Sequence, residues 1–308
     1  MALEPRDLDP MLALINRSVA ATTKGYVVAL LDQVAPFGRL PSAAEGLLQH
    51  DPFFVGCAHD RIIFNQHEIA DAMGFLFGRP DGTWREWEAG WPLLLLETRS
   101  DEAGRSGYHS GAAVSASTVA SIEAAVDAYR RSGLFPLVRS GTRRLAVSAS
   151  CRGSSSISSL PGYSLVERPD PALVAVPDAF VNGLLHESVH GVLFLAECLV
   201  GRPLVSGGAC PVTSPWTGRE LDAYQFAQAV VVWHVLAKFW SQTTPHAEHC
   251  RLALSGFASP DCAHSIEAIA EFLEPTTLDL LRMMHNQTTL LEVKAREFSS
   301  AIPNCASR

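Results

Sequence analysis

Positive charge is scarce in this 308-residue chain: 24 lysines and arginines stand against 32 aspartates and glutamates, a formal net charge of −8, and charged residues are only 18% of the total. A chain without a basic excess has no global field for a nucleic-acid partner. No stretch approaches the ~18 consecutive apolar residues of a membrane span. The opening Met1-Ala2-Leu3-Glu4-Pro5-Arg6-Asp7 lacks the apolar core of a secretory signal. The seven cysteines, Cys57, Cys151, Cys198, Cys210, Cys250, Cys262 and Cys305, include no C-x-x-C pair. That spacing excludes a zinc knuckle and argues against a disulfide framework. Free thiols in a reducing cytoplasm are the expectation, with neither a nucleic acid nor a membrane as partner. What the sequence does have is apolar residues, at 47%, too many for a disordered chain.

The length allows about two domains. Apolar spacing predicts one or two helices over Met11 to Val34 and shorter ones over Ala43 to Leu48 and Glu68 to Phe77. Pro92 to Leu96 reads as a buried strand and Ala116 to Arg131 as an amphipathic helix stopped by Gly133. Leu134–Val138, Leu145–Ser148, Tyr163–Val166 and Leu173–Val176 are short and β-prone. Between Ser148 and Ser159, seven of twelve residues are serine, which reads as a surface loop or as a small-residue wall. Helices follow over Asp178 to Val200, Arg219 to Trp240, Ala263 to Phe272 and Thr277 to Phe298. The expected fold is α+β and helix-dominated: a few short strands, a long buried helix, then a C-terminal helical bundle. A mainly helical region over 1–140 would precede a region over 141–308 that carries the chemistry, as two domains or as one compact domain.

The chemistry is in His186-Glu187-Ser188-Val189-His190, an H-E-x-x-H motif. Histidines at i and i+4 of a helix lie about 5–6 Å apart at Cβ, so both imidazoles reach one metal ion. The glutamate between them can serve as base toward a metal-bound water, or support the ligands from behind. Phe180, Val181, Leu184, Leu185, Val192, Leu193, Phe194 and Leu195 make the helix apolar on nearly every side, as expected of a buried helix. Two histidines and a glutamate buried there need partners; a metal is one, a hydrogen-bonded core network the other.

The third ligand is open. Six residues past His190 stands Ala196, where a metzincin would need a ligand, and Glu197 lies about 10 Å along the axis from His190. Glu220, at the expected start of the next helix, is the leading candidate. Thr217-Gly218-Arg219-Glu220 equally matches a capping box. Asp222, Gln228 and His234 are the reserves; on one continuous helix Gln228 and His234 lie within about 40° of the Glu220 face. Tyr224, one turn on, could point at the same site or be a core tyrosine. His246, His249 and Cys250 form a polar cluster that reads as a solvated loop before a second metal site. His67-Glu68-Ile69-Ala70-Asp71 lacks a second histidine and reads as a helix start. Trp84, Trp87 and Trp91 have the spacing of one helical face and read as packing anchors.

Leu184-Leu185-His186-Glu187-Ser188-Val189-His190, then Ser214-Pro215-Trp216, then a long apolar helix ending in Lys238-Phe239-Trp240, resembles the HExxH-type peptide modification proteins. These are encoded beside ribosomally made peptide natural products, and the resemblance is clearest over about Gly162 to Trp240. It implies an iron- and α-ketoglutarate-dependent β-hydroxylase acting on a precursor peptide with dioxygen as cosubstrate. Members usually have an arginine directly after Pro-Trp; Thr217-Gly218-Arg219-Glu220 stands there, marking a divergent member.

Two reactions and one silent alternative follow. In the hydroxylase, His186 and His190 hold Fe(II), Glu220 completes the set, and Arg219 grips the distal carboxylate of α-ketoglutarate. In a zinc peptidase, Glu187 deprotonates the metal-bound water and Tyr224 steadies the oxyanion. A silent peptide-binding module would keep the helix for its fold alone.

Overall fold

The computed structural model describes residues 83–86, 92–98, 115–142, 144–148, 153–156, 162–167, 178–200, 210–243 and 248–301. The helices expected before residue 82, the His67 near-match and the Leu173–Val176 segment lie outside them. The described residues are helix-dominated with a few short strands, as expected, and none of their helices is long and apolar enough to cross a membrane. The chain forms two compact units, Met1–Gly201 and Arg202–Arg308.

The first unit is built on a five-stranded mixed sheet, in the order β1-β2-β3-β5-β4. β1 (Thr83–Glu86) and β2 (Pro92–Thr98) pair antiparallel, and β2 runs parallel to β3 (Arg144–Ser148). β3 is parallel to β5 (Tyr163–Glu167), and β4 (Ser154–Ser156) pairs antiparallel with β5 at the edge. A parallel pair needs a crossover. Between β2 and β3 it is made by α1 (Ala116–Arg131) and α2 (Phe135–Gly141). Leu145, Ala146 and Val147 of β3 and Tyr163, Leu165 and Val166 of β5 are all buried, as strands covered on both faces must be. Trp84 sits in β1, paired opposite Leu94, so the three-and-four spacing of Trp84, Trp87 and Trp91 does not mark one helix.

Two sequence expectations change here. Leu134–Val138 is not a strand. Gly133 takes φ +72° and closes α1 with a Schellman arrangement, Gly133 N–H bonding Arg130 O and Leu134 N–H bonding Tyr129 O. Pro136 is accommodated in the first turn of α2, where its missing N–H costs nothing. Burial of Phe135, Leu137 and Val138 then outweighs their β preference. The serine-rich stretch, read as a loop, contains β4, whose Ser154 and Ser156 lie opposite Val166 and Ser164 of β5.

α3 (Asp178–Val200) carries the H-E-x-x-H motif and packs on α2, β4 and β5. Backbone meets backbone at its centre. A methyl group at Gly141 would overlap the Ser188 carbonyl oxygen, and one at Gly191 would overlap the Gly141 carbonyl oxygen. Beside this contact runs a buried hydroxyl chain. Ser188 Oγ donates to Leu184 O (2.7 Å) and lies 2.8 Å from Thr142 Oγ1, which is 3.1 Å from Ser164 Oγ. Each hydroxyl has one proton to give, so the donors run from Ser164 through Thr142 to Ser188. Tyr129 of α1 donates to Val181 O at 2.7 Å and fixes the first turns of α3.

The second unit pairs β6 (Val212–Thr213) with β7 (Glu220–Leu221) and continues into α4 (Ala223–Thr243), α5 (Glu248–Ala258), α6 (Pro260–Ala268), a 3₁₀ turn (Ala270–Phe272) and α7 (Pro275–Ala301). The helix expected over Ala263 to Phe272 is thus α6, capped by Ser259 and begun at Pro260, followed by the 3₁₀ turn. Trp216 anchors the unit. Its Nε1 donates to Ala253 O (3.1 Å), its ring stacks on Trp233 (5.7 Å) and meets Phe257 edge-on (4.9 Å), and Gly256 leaves the space it fills.

In a helix interior, alanine normally stabilises over glycine by roughly 1 kcal/mol. At Gly191 the sign should reverse: Gly191→Ala is expected to lower stability by about 1–3 kcal/mol through overpacking against α2, read as a lower urea midpoint. A midpoint at or above wild type would show that the helices do not touch there.

Candidate functional site

The positions of α3 between Phe180 and Glu197 that are described and not buried are Asn182, His186, His190, Leu193 and Glu197. They recur every three or four residues and so form one stripe along an otherwise buried helix. The two histidines occupy its centre. Their ring centroids are 5.0 Å apart with planes inclined at 53°, and His190 stacks on Phe194 at 5.7 Å. His186 keeps 30% of its side-chain surface exposed, yet burial of the ring pushes its pKa down to about 4. It is therefore neutral near pH 7, the state a metal ligand requires. Two imidazoles on adjacent turns fit a borderline divalent ion such as Fe(II) or Zn(II).

Glu187 lies beside this stripe and is only 2% exposed. Its Oε1 is 3.9 Å from His186 Nε2, too long for a hydrogen bond, and the neutral imidazole makes no ion pair. Burial raises the Glu187 pKa, while hydrogen bonds from the Ser154 and Ser156 hydroxyls and the nearby His190 act the other way. The carboxylate is thus received by the sheet edge, in the serine-rich stretch that reads as featureless in sequence. The signal available was the period-two placement of Ser154 and Ser156, which puts both on one face of a strand. Asn182, one turn before His186 on the stripe, was likewise passed over; its i−4 spacing from His186 was the cue.

The second unit places the remaining candidates differently from the sequence reading. Gly218, at φ +68°, turns the chain; Ser214 N–H bonds Arg219 O and Gly218 N–H bonds Ser214 O, both at 2.8 Å. Glu220 therefore lies in β7 opposite Thr213, exposed like Arg219, and the helix starts only at Ala223. The capping box is formed by Asp222 and Gln225, not by Thr217 and Glu220. Gln225 N–H donates to Asp222 Oδ1 (2.7 Å) and Asp222 N–H to Gln225 Oε1 (3.3 Å). The helical face that would align Glu220 with Gln228 and His234 accordingly does not exist. Gln228 donates to Tyr224 Oη at 2.7 Å, both on α4. His234 is buried, its Nδ1 2.7 Å from Thr288 Oγ1, and burial with the neighbouring Lys238 charge pushes its pKa down to about 4.

His249 stacks on Trp240 at 5.4 Å, and Cys250 is buried with its thiol pKa raised by burial; His246 lies outside the described residues. Among the described residues no three His, Cys, Asp or Glu side chains gather within reach of one metal ion. No protein-family model and no curated protein sequence matches the chain.

His234 gives a pH test. Its folded pKa of about 4 lies below the ordinary 6.5. Below pH 6.5 the unfolded chain takes up a proton that the folded one refuses, so this contribution is whole above pH 6.5 and lost as pH falls toward 4. The gap is worth at most about 3 kcal/mol. Wild type is expected to lose up to that much more stability than His234→Gln over this window in urea titrations; parallel curves for the two would contradict the burial.

Proposed function

We propose that the chain is a metal-dependent peptide-modifying enzyme, a divergent relative of the HExxH-type peptide modification proteins, that hydroxylates a residue of a ribosomally made peptide. The observation that carries the reading is the division of labour on α3. Two histidines share the half-exposed stripe, 5.0 Å apart, while the buried Glu187 between them is hydrogen-bonded by serine hydroxyls. A carboxylate already held by serine hydroxyls suits a supporting role beside a metal more than attack through a bound water. Iron bound by the histidines would supply, with α-ketoglutarate and dioxygen, the oxidation of an unactivated peptide carbon.

The chain's own residues do the rest. His186 and His190 offer neutral nitrogens; His190 is braced by Phe194. Val189 and Leu185, both buried, shield the inner side of the pair from water. Glu220 and Arg219, exposed on the β6–β7 hairpin, carry no part of this proposal. The reading belongs with a reducing cytoplasm, where Fe(II) and free thiols persist.

A zinc hydrolase is the second reading, and the Glu187 carboxylate 3.9 Å from the His186 imidazole favours it, since a general base must stand close to the water it would deprotonate. The two separate cleanly. Anaerobic Fe(II) with α-ketoglutarate should give a weak visible charge-transfer band, and oxygen should then release succinate. His186→Ala and His190→Ala should each remove both signals. Glu187→Gln should keep the band and part of the turnover. Peptide cleavage with zinc, no response to α-ketoglutarate and complete loss in Glu187→Gln would establish the hydrolase instead. A chain that binds neither metal would be a silent module.

A further inference from the structure

The edge strand β4 is held in place by the ladder to β5 and by its first turn, where Glu167 N–H donates to Gly153 O (2.9 Å) and Gly153 N–H donates to Glu167 Oε2 (3.2 Å). Ser155 is exposed, whereas Ser154 and Ser156 are half-buried, as the alternation of a strand requires. The inward face of this strand meets α3, and there apolar residues would ordinarily be cheaper to bury than hydroxyls. Gly183 makes the approach possible. A methyl there would lie 3.3 Å from Ser154 Cβ and 3.1 Å from Val166 Cγ1. Gly183 is one turn before Glu187 on the helix, so the gap it opens leads directly to the carboxylate. Both hydroxyls end on that carboxylate.

We propose that Ser154 and Ser156 are positioning residues for the metal site, holding the Glu187 carboxylate in one orientation beside His186 and His190. The inference rests on the metal-enzyme reading above for its functional half. Its structural half stands on β4, Gly183 and Glu187 alone. An ionised carboxylate is an acceptor only, with room for several donors. Two donors from one rigid strand fix both its rotation and its tilt, as two donors from separate loops would not. With the hydroxyls gone, Glu187, whose Oε1 stands 3.9 Å from His186 Nε2, would lose the partners that keep it at that distance and be free to compete for the metal.

The test uses the full chain. In the metal-free protein, the carbon-13 signal of the Glu187 side-chain carboxyl, assigned by its loss in Glu187→Gln, should move in Ser154→Ala/Ser156→Ala and return toward wild type in Ser154→Thr/Ser156→Thr. Should the double alanine variant not fold, the single Ser154→Ala and Ser156→Ala variants should each show part of the same displacement. In the Fe(II)-loaded protein, succinate formation should fall by about 10–100-fold in the double alanine variant, in kcat more than in KM for α-ketoglutarate, and recover with threonine. A carboxyl signal unmoved in the folded single and double variants overturns the positioning role, whatever the turnover. A moved signal in a protein whose wild type makes no succinate supports the positioning and defeats the hydroxylase reading, so the two failures are distinguishable.

Discussion

A carboxylate that is 2% exposed must find its donors inside the protein, because water does not reach it. Glu187 finds them on β4, and the described elements around it are arranged so that it can. β4 has to be an edge strand with a polar inner face. β5 has to carry it at a register that puts Ser154 and Ser156 opposite Val166 and Ser164. α3 has to come close enough for serine, among the shortest of polar side chains, to span the gap, and Gly183 leaves room for that approach. The same burial fixes where the histidines go. With Glu187 committed to the sheet side, the geometry of a 3.6-residue turn leaves His186 and His190 on the one stripe that retains exposure.

The position of α3 along its axis is set by its contact with α2. At Gly141 and Gly191 the backbones of α2 and α3 touch without intervening side chains, and the hydroxyl chain from Ser164 through Thr142 to Ser188 ties the helix to β5 beside that contact. Close-packed interiors move little without penalty. A helix clamped by backbone contact with α2 and by the serine-held Glu187 therefore presents its stripe with little freedom. That is the preorganisation a metal site needs, since ligands displaced by a fraction of an ångström lose their common focus.

How much of this was legible in the sequence depended on whether the signal was local. α1 and α3 begin and end where periodicity and end signals put them, at Ala116–Arg131 and Asp178–Val200. Strong period, apolar stripe and a stop residue all act within a few turns. β4 was illegible because its reason lies elsewhere: serines have no strand preference of their own, and only pairing with β5 and the demand of Glu187 make a strand of them. α2 misled for the converse reason, its Leu, Phe and Val preferring strands until a tertiary contact intervened. The start of α4 failed on chemistry, because two overlapping capping patterns compete. Thr217 to Glu220 reads as a box, but the positive φ of Gly218 turns the chain into a hairpin. The cap passes to Asp222 and Gln225 instead, and with it goes the helical alignment of Gln228 and His234 with Glu220. The histidine pair was fully legible, since i and i+4 on a helix need nothing from the rest of the fold.

The account thus turns on one claim, that the half-exposed stripe of α3 presents its two imidazoles to a single ion. X-ray absorption on the anaerobically iron-loaded chain addresses it most directly. One iron per chain with two imidazoles in its first coordination shell, falling to one in His186→Ala and in His190→Ala, is the predicted result. Loosely held iron whose shell contains no imidazole, unchanged by either substitution, would contradict it.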